Sequence, residues 1–197
     1  MTLLIIPVPN IPEVAAGDDL SETIATALTA AGLALEPGDI VVVASKVVAK
    51  SLGLRRQISR DEAIAVETIR VVVERRAGDR VTRIVEAAAG PVMAAAGVDE
   101  SNLGPEGGVL LLPRDPDTAA RDLLGSLRQR LAWPGDIPLG VILSDTAGRP
   151  WRGGVTDFAL GSAGVQILDD HRGGVDADGR PLLVTTIAVA DEIAAAA

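Results

Sequence analysis

The apolar run Leu139-Gly140-Val141-Ile142-Leu143 stops abruptly at Ser144-Asp145-Thr146, and the loop after it, Ala147 to Gly154, is rich in Gly and Arg. A short, almost wholly apolar run reads as a buried strand of a parallel-type sheet. Such sheets bind ligands beyond the carboxyl ends of their strands. A carboxylate and a hydroxyl at that end suit a hard cation, and Gly with Arg suits phosphate. The segment therefore points to metal–phosphate chemistry. A strand-terminal Asp that merely caps the next turn is the bland alternative, and these residues alone leave both open.

The rest of the chain alternates in the same way. Residues 3–8 read as a short strand broken by Pro7, Pro9 and Pro12. Asp18 or Asp19 caps a helix whose Leu20, Ile24, Ala27 and Leu28 share one face, and Gly32 ends it. Residues 39–45 form a buried strand, and 46–52 a short helical or looped piece. Ser59 with Glu62 makes a capping-box pattern, opening a helix with Ile64, Ile69, Val72 and Val73 that runs to about Arg76. Strands are expected at 81–86 and 91–96, then a polar turn over 97–108 and a strand at 109–112. An amphipathic helix ends near Leu131. After the 139–146 strand comes a Gly-punctuated stretch to Gly164, then a strand at 182–190 and a helix starting at Asp191. This order favours an α/β fold, with α+β as the alternative: a mixed sheet with flanking helices, in one domain or two small lobes.

Composition narrows the function classes. The 197 residues are 48% hydrophobic but only 2% aromatic, so the core must be built from Val, Ile, Leu and Ala. Such a core depends on close backbone packing and suits completion by an oligomer interface. A net charge of -9 argues against nonspecific nucleic-acid binding. With no cysteine there is no disulfide, thiolate nucleophile or Cys-ligated metal. The first residues lack the basic start and long apolar core of a signal peptide, and no stretch reaches membrane-span length. The expectation is a soluble cytoplasmic protein.

Two further constellations stand out. In Ala96-Gly97-Val98-Asp99-Glu100-Ser101-Asn102, Asp99 and Asn102 can face one ligand, the Asp a metal and the Asn a base or phosphate; an ordinary Asx turn explains the same residues. In Ser45-Lys46-Val47-Val48-Ala49-Lys50, a strand-end hydroxyl and two ammonium groups four residues apart suit phosphate. The glycines of a Walker loop are missing, and two solvated surface lysines are the alternative. The lone His171 supports neither a Ser-His triad nor a His-rich metal site. Trp133 and Trp151 read as packing anchors.

Taken together, these segments resemble the coenzyme F-420 γ-glutamyl ligases. The matching stretches include Asn10-Ile11-Pro12-Glu13, Gly38-Asp39 with Ser45-Lys46 and Lys50, Ala96-Gly97-Val98-Asp99 with Ser101-Asn102, and Leu111-Leu112-Pro113 with Asp115-Pro116-Asp117. Ser144-Asp145-Thr146 with Gly148-Arg149-Pro150-Trp151-Arg152, and Val189 to Ala194, complete the series. The resemblance spans essentially the whole chain. It implies an enzyme that adds L-glutamate to a deazaflavin coenzyme precursor at the expense of GTP, through an acyl phosphate, with further glutamates γ-linked. It also implies two divalent cations (manganese or magnesium), potassium, and an intertwined homodimer. Carried over by position, Asp99 and Asp145 would hold one metal and Thr146 the second. Ile11, Pro12, Glu13, Val14, Ser45, Lys46, Lys50 and Asn102 would line the GTP site, with Arg149 and Arg152 contacting phosphate or substrate.

The family pattern runs on beyond residue 197 with a strand and a Gly-rich loop, so the chain is expected to lack a C-terminal segment. Ala88-Ala89-Gly90-Pro91 also replaces an Arg/His-Gly element. Two competing readings follow: a non-catalytic nucleotide- or metal-binding fragment or dimerisation scaffold, and a magnesium-dependent phosphohydrolase using Asp145 as nucleophile. The latter would want a second Asp at position 147, which is Ala.

Overall fold

The computed structural model describes residues 3–78, 80–105 and 107–197. Its centre is a mixed sheet of β1 (Ile40–Ala44), β7 (Gly140–Arg149) and β8 (Arg152–Ala163). Strands β1 and β7 run parallel with Ala44 opposite Ser144, whereas β7 and β8 are antiparallel. Helices α1 (Leu20–Ala30) and α4 (Pro116–Arg130) cover one face, and α5 (Val189–Ala196) covers the other.

This double cover explains the continuous apolar run in β7. Val141 and Leu143 pack with Leu20, Ile24, Leu28, Leu124 and Leu127 on one side. Ile142, between them, meets Ala190 and Ala194 on the other. Successive side chains of a strand point to opposite faces, so a strand covered on both faces needs an apolar residue at every position. Full burial of each large side chain contributes about 1.5–3 kcal/mol.

Helices α1 and α4 start where their caps dictate. The Asp19 carboxylate accepts from the backbone N–H of Ser21 and Glu22, and Asp115 accepts from Thr118, with Pro116 at the first helical position. Helix α2 (Ser45–Ser51) leaves directly from the end of β1.

A second core gathers around Val85, Ala87, Met93, Val98, Val109 and Leu111. It joins α3 (Arg60–Glu67), the antiparallel sheet β3 (Thr68–Ala77), β4 (Arg80–Ala87) and β5 (Val92–Ala94), and the far side of β8 through Leu160 and Phe158. Two ribbons complete the fold: β2 (Arg55–Arg56) with β6 (Val109–Leu110), and β9 (Asp169–Asp170) with β10 (Thr186–Ile187). The mixed sheet, flanking helices and two packed clusters agree with the α/β expectation.

Four local expectations need correction. Residues 3–8 pair with no strand. The helix opened by Ser59 ends at Glu67, and 68–77 is strand instead. Its Ile69, Val71, Val72 and Val73 are exposed, so their apparent helical face has no core to meet. β-branched residues suit the pleated surface better, and pairing with β4 decides it. The strand expected to end at Asp145-Thr146 runs on to Arg149, so the Gly/Arg-rich stretch after it is not a loop but the rest of β7, a turn at Pro150-Trp151 and β8, twelve residues long. There Gly161 is required, because a Cβ would lie 2.4 Å from the backbone of Pro116 at the start of α4. Finally, the strand expected at 182–190 is only Thr186–Ile187, and α5 begins at Val189.

Candidate functional site

The parallel pairing of β1 and β7 ends at Ala44 and Ser144, so Ser45 and Asp145 emerge side by side from adjacent strand ends. Beyond that point β7 keeps only β8 as a neighbour. Asp145 and Thr146 therefore flank an open strand edge, the crevice position expected of a ligand site in such sheets.

The AGVD turn delivers Asp99 to the same place. Gly97 has φ +72°, and a Cβ there would sit 2.3 Å from Leu112 Cδ1, so glycine is needed for the turn to pack. Asp99 then bridges to Leu110 by backbone hydrogen bonds in both directions. Its Oδ1 accepts from the backbone N–H and the hydroxyl of Ser101, both at 2.8 Å. Its Oδ2 lies 2.6 Å from Lys46 Nζ. The Asx turn is thus real, but it uses one carboxylate oxygen and leaves the other to the lysine. Lys46 also donates to Ser101 Oγ at 2.6 Å.

The two aspartates differ electrostatically. Burial disfavours the charge on Asp99, but hydrogen bonds from Lys46 and Ser101 outweigh it and hold the carboxyl below its ordinary range. Asp145 goes the other way. Burial raises its pKa, and the nearby charges of Asp99 and Asp157 add to that, against opposing hydrogen bonds from the Thr146 backbone and the Ser45 side chain. Here is a half-buried carboxylate with other carboxylates nearby and too little positive charge, an environment that a cation would relieve.

Asp157 and Ser101 are the members that sequence reasoning missed. Asp157 stands directly opposite Thr146 in the β7–β8 ladder and accepts its hydroxyl proton at 2.5 Å. Among the described residues, no three His, Cys, Asp or Glu side chains converge as a ready metal cage. Asp99 and Asp145 offer two carboxylates for one ion, while Thr146, the next residue of β7, offers its hydroxyl from the other face of the strand. That suits a magnesium-type ion, which takes one or two carboxylates and completes its shell with water and substrate phosphate.

The other expected residues have mixed outcomes. Lys50 forms an ion pair with Glu13, bringing two expected nucleotide contacts together. Ile11 and Pro12 are exposed beside them, whereas Val14 is a member of the first core. Asn102 is exposed with φ 58°, following the Asp99 turn. Arg149 ends β7 with its Nε buried and unpartnered, an orphaned donor of the kind an anion would satisfy. Arg152 is exposed at the start of β8. His171 hydrogen-bonds Asp169 in the β9 ribbon. Trp133 is a packing anchor, its Nε1–H bonded to the Ile137 carbonyl. Trp151 is not, since it is 80% exposed. A groove of about 830 Å³ lies elsewhere, between α4 and α2, lined by residues such as Leu52, Arg56, Leu111 and Arg114. None of the residues named for metal or nucleotide lines it. Among the described residues no helix is long and apolar enough to cross a membrane.

Comparison with known proteins adds to this geometry. Residues 9–197 match the family described as F420-0:Gamma-glutamyl ligase. The chain is 40% identical over 214 residues to the coenzyme F420:L-glutamate ligase of Methanopyrus kandleri, covering 100% of this chain and 80% of that protein. It is 37% identical over 217 residues to the protein of the same name from Methanothermobacter thermautotrophicus, covering 100% and 82%. The like-named protein of Archaeoglobus fulgidus is also 37% identical, over 99% of this chain and 80% of its own length. With a match that runs through the elements carrying Ser45, Asp99 and Asp145, the chain belongs to the F420-0:gamma-glutamyl ligase family.

Proposed function

We propose that this chain is a GTP-dependent ligase that joins L-glutamate to the deazaflavin coenzyme precursor, first through the α-amine and then through γ-linkages. The observation that carries this reading is the meeting of Ser45-Lys46, Asp99 and Asp145-Thr146 where the parallel pairing of β1 and β7 ends. The relatives' names give coenzyme F420 and L-glutamate as the pair joined.

Amide formation from a carboxylate needs an activated acyl group. A carboxylate oxygen of the precursor attacks the γ-phosphorus of GTP, GDP leaves, and an acyl phosphate results. The free amine of glutamate attacks its carbonyl carbon, inorganic phosphate leaves, and the amine gives up a proton. Phosphoryl transfer of this kind needs alignment and charge neutralisation more than a protein nucleophile. Lys46 and Lys50, now paired with Asp99 and Glu13, would bind phosphate oxygens by exchanging those carboxylates for the nucleotide. The buried Nε of Arg149 offers a further donor. Asp99, Asp145 and Thr146 would hold the divalent cations, which when bound neutralise the charge on the transferring phosphoryl group. The exposed apolar face of β3, with Ile69, Val71 and Val73, suits burial in a homodimer.

The test is a coupled assay with deazaflavin precursor, glutamate, GTP and manganese, with products read by mass. Gain of a glutamyl unit with release of GDP is the expected result. GTP binding without any mass gain would refute catalysis by this chain and leave a nucleotide-binding core.

A further inference from the structure

The β7–β8 ladder is irregular at two places, between Leu143 and Ser144 and between Gly148 and Arg149. The first irregularity sets what stands across from Thr146. Before it, Leu143 pairs with Gly161; after it, Ser144 pairs with Ala159, so Leu160 is the extra residue on β8. Had the ladder run on unshifted, Phe158 would oppose Thr146. The shift places Asp157 there instead. A bulge that re-aims one side chain beside a functional strand end is a recognised use of this device. Leu160 is buried in the second core, which anchors the shift.

We propose that Asp157 is a positioning residue that fixes the Thr146 hydroxyl as a cation ligand. A threonine hydroxyl has one proton and two lone pairs. Left free, it rotates, and part of the time its proton faces the cation. The Asp157 carboxylate takes that proton in a 2.5 Å hydrogen bond, the short, charge-assisted kind. Both lone pairs then point away from Asp157, and the oxygen gains electron density. Thr146 is β-branched, so the same bond also holds its side chain in one rotamer. The relation is that of an outer carboxylate orienting a metal-bound group. Asp157 acts through Thr146 and needs no contact with the ion. The inference rests on Thr146 being a cation ligand.

The experiment is a titration with Mn²⁺ in the presence of GTP, bound ion being read by the loss of the free Mn²⁺ EPR signal. The proteins are wild type, Thr146→Val, Asp157→Ala and the Thr146→Val/Asp157→Ala double variant. Asp157→Ala is expected to weaken the Thr146-dependent binding about tenfold to a hundredfold, the range for lost outer partners. The double variant should bind no more weakly than Thr146→Val alone, because the second change has nothing left to orient. Asp157→Asn keeps the shape and an acceptor oxygen, so it should fold as wild type and fall between, with KM for Mn²⁺ raised more than kcat is lowered. If Thr146→Val weakens binding and Asp157→Ala does not, the positioning role is wrong. If the two losses add in the double variant, Asp157 acts independently of Thr146 and the proposal also falls. If Thr146→Val itself changes nothing, the parent assignment of Thr146 fails, and the inference with it.

Discussion

The two halves of β7 are one strand under two regimes. From Gly140 to Ser144 it is buried, with β1 on one side, β8 on the other and helices over both faces. From Asp145 to Arg149 it alternates between half-buried and exposed and keeps only β8. The first half is an apolar scaffold that closes on one buried polar residue, Ser144; the second presents polar groups that are only partly satisfied. The comparison shows how a site with an unfavourably placed carboxylate persists: its backbone is held by the neighbouring apolar half, so Asp145 can be poorly solvated without the strand end fraying.

Shortening the apolar half should have the largest effect. Leu143 is wholly buried in the first core, and Leu143→Ala should destabilise the fold by about 2–5 kcal/mol through lost burial and the cavity left behind. Chemical denaturation would read this as a lower midpoint with an unchanged slope. A cost under about 1 kcal/mol would mean that the two halves are not energetically distinct in the way described.

Changing the polar half should leave the fold and remove the chemistry. Asp145→Asn is expected to lower the metal-dependent ligation rate by more than about a hundredfold, beyond the usual loss of an outer metal partner. Far-UV circular dichroism should remain that of the wild type. Retention of full activity, measured against manganese concentration, would remove Asp145 from the cation site.

The contrast also governs what was legible in the sequence. The apolar half declared itself, because the buried run Leu139 to Leu143, covered on both faces, leaves a pattern that few other arrangements produce. The site residues beyond it, and those of the Asp99 turn and the Ser45-Lys46 step, were readable because a sharp change from apolar to polar marks where burial stops, although in β7 the strand itself runs on to Arg149. Strand β8 was not. Its Gly153, Gly154 and Gly161 look like loop punctuation, and the reason for Gly161, the close approach of Pro116, exists only in three dimensions. Asp157 was lost with it, although Val155-Thr156-Asp157-Phe158 carries the β-branched and aromatic residues that favour strands. The α3–β3 boundary failed for another reason. Ile64, Ile69, Val72 and Val73 fit helical spacing, but spacing alone cannot tell whether a core lies opposite.

The smallest effect expected, and the finest test of the contrast, is on stability without metal. Burial, aided by Asp99 and Asp157, raises the Asp145 pKa in the folded protein above its value in the unfolded chain. The folded state therefore holds this proton more tightly than the unfolded state. The stability associated with it is fully present below the ordinary carboxylate pKa, and is lost as pH rises through the raised one. Above the ordinary carboxylate range the charge of Asp145 is disfavoured by folding, and Asp145→Asn, which carries no charge, should melt at a slightly higher temperature than the wild type in metal-free buffer at neutral pH. The difference should shrink as the pH falls below the ordinary carboxylate range, where wild-type Asp145 is also neutral. Asp99 carries the opposite signature: its pKa is lowered, so its contribution is present above the ordinary value and lost as pH falls through the depressed one. Asp99→Asn should accordingly melt lower than the wild type at neutral pH. If both variants shift the melting temperature in the same direction, the two aspartates share one environment, and the split between a paired carboxylate and one awaiting a cation is wrong.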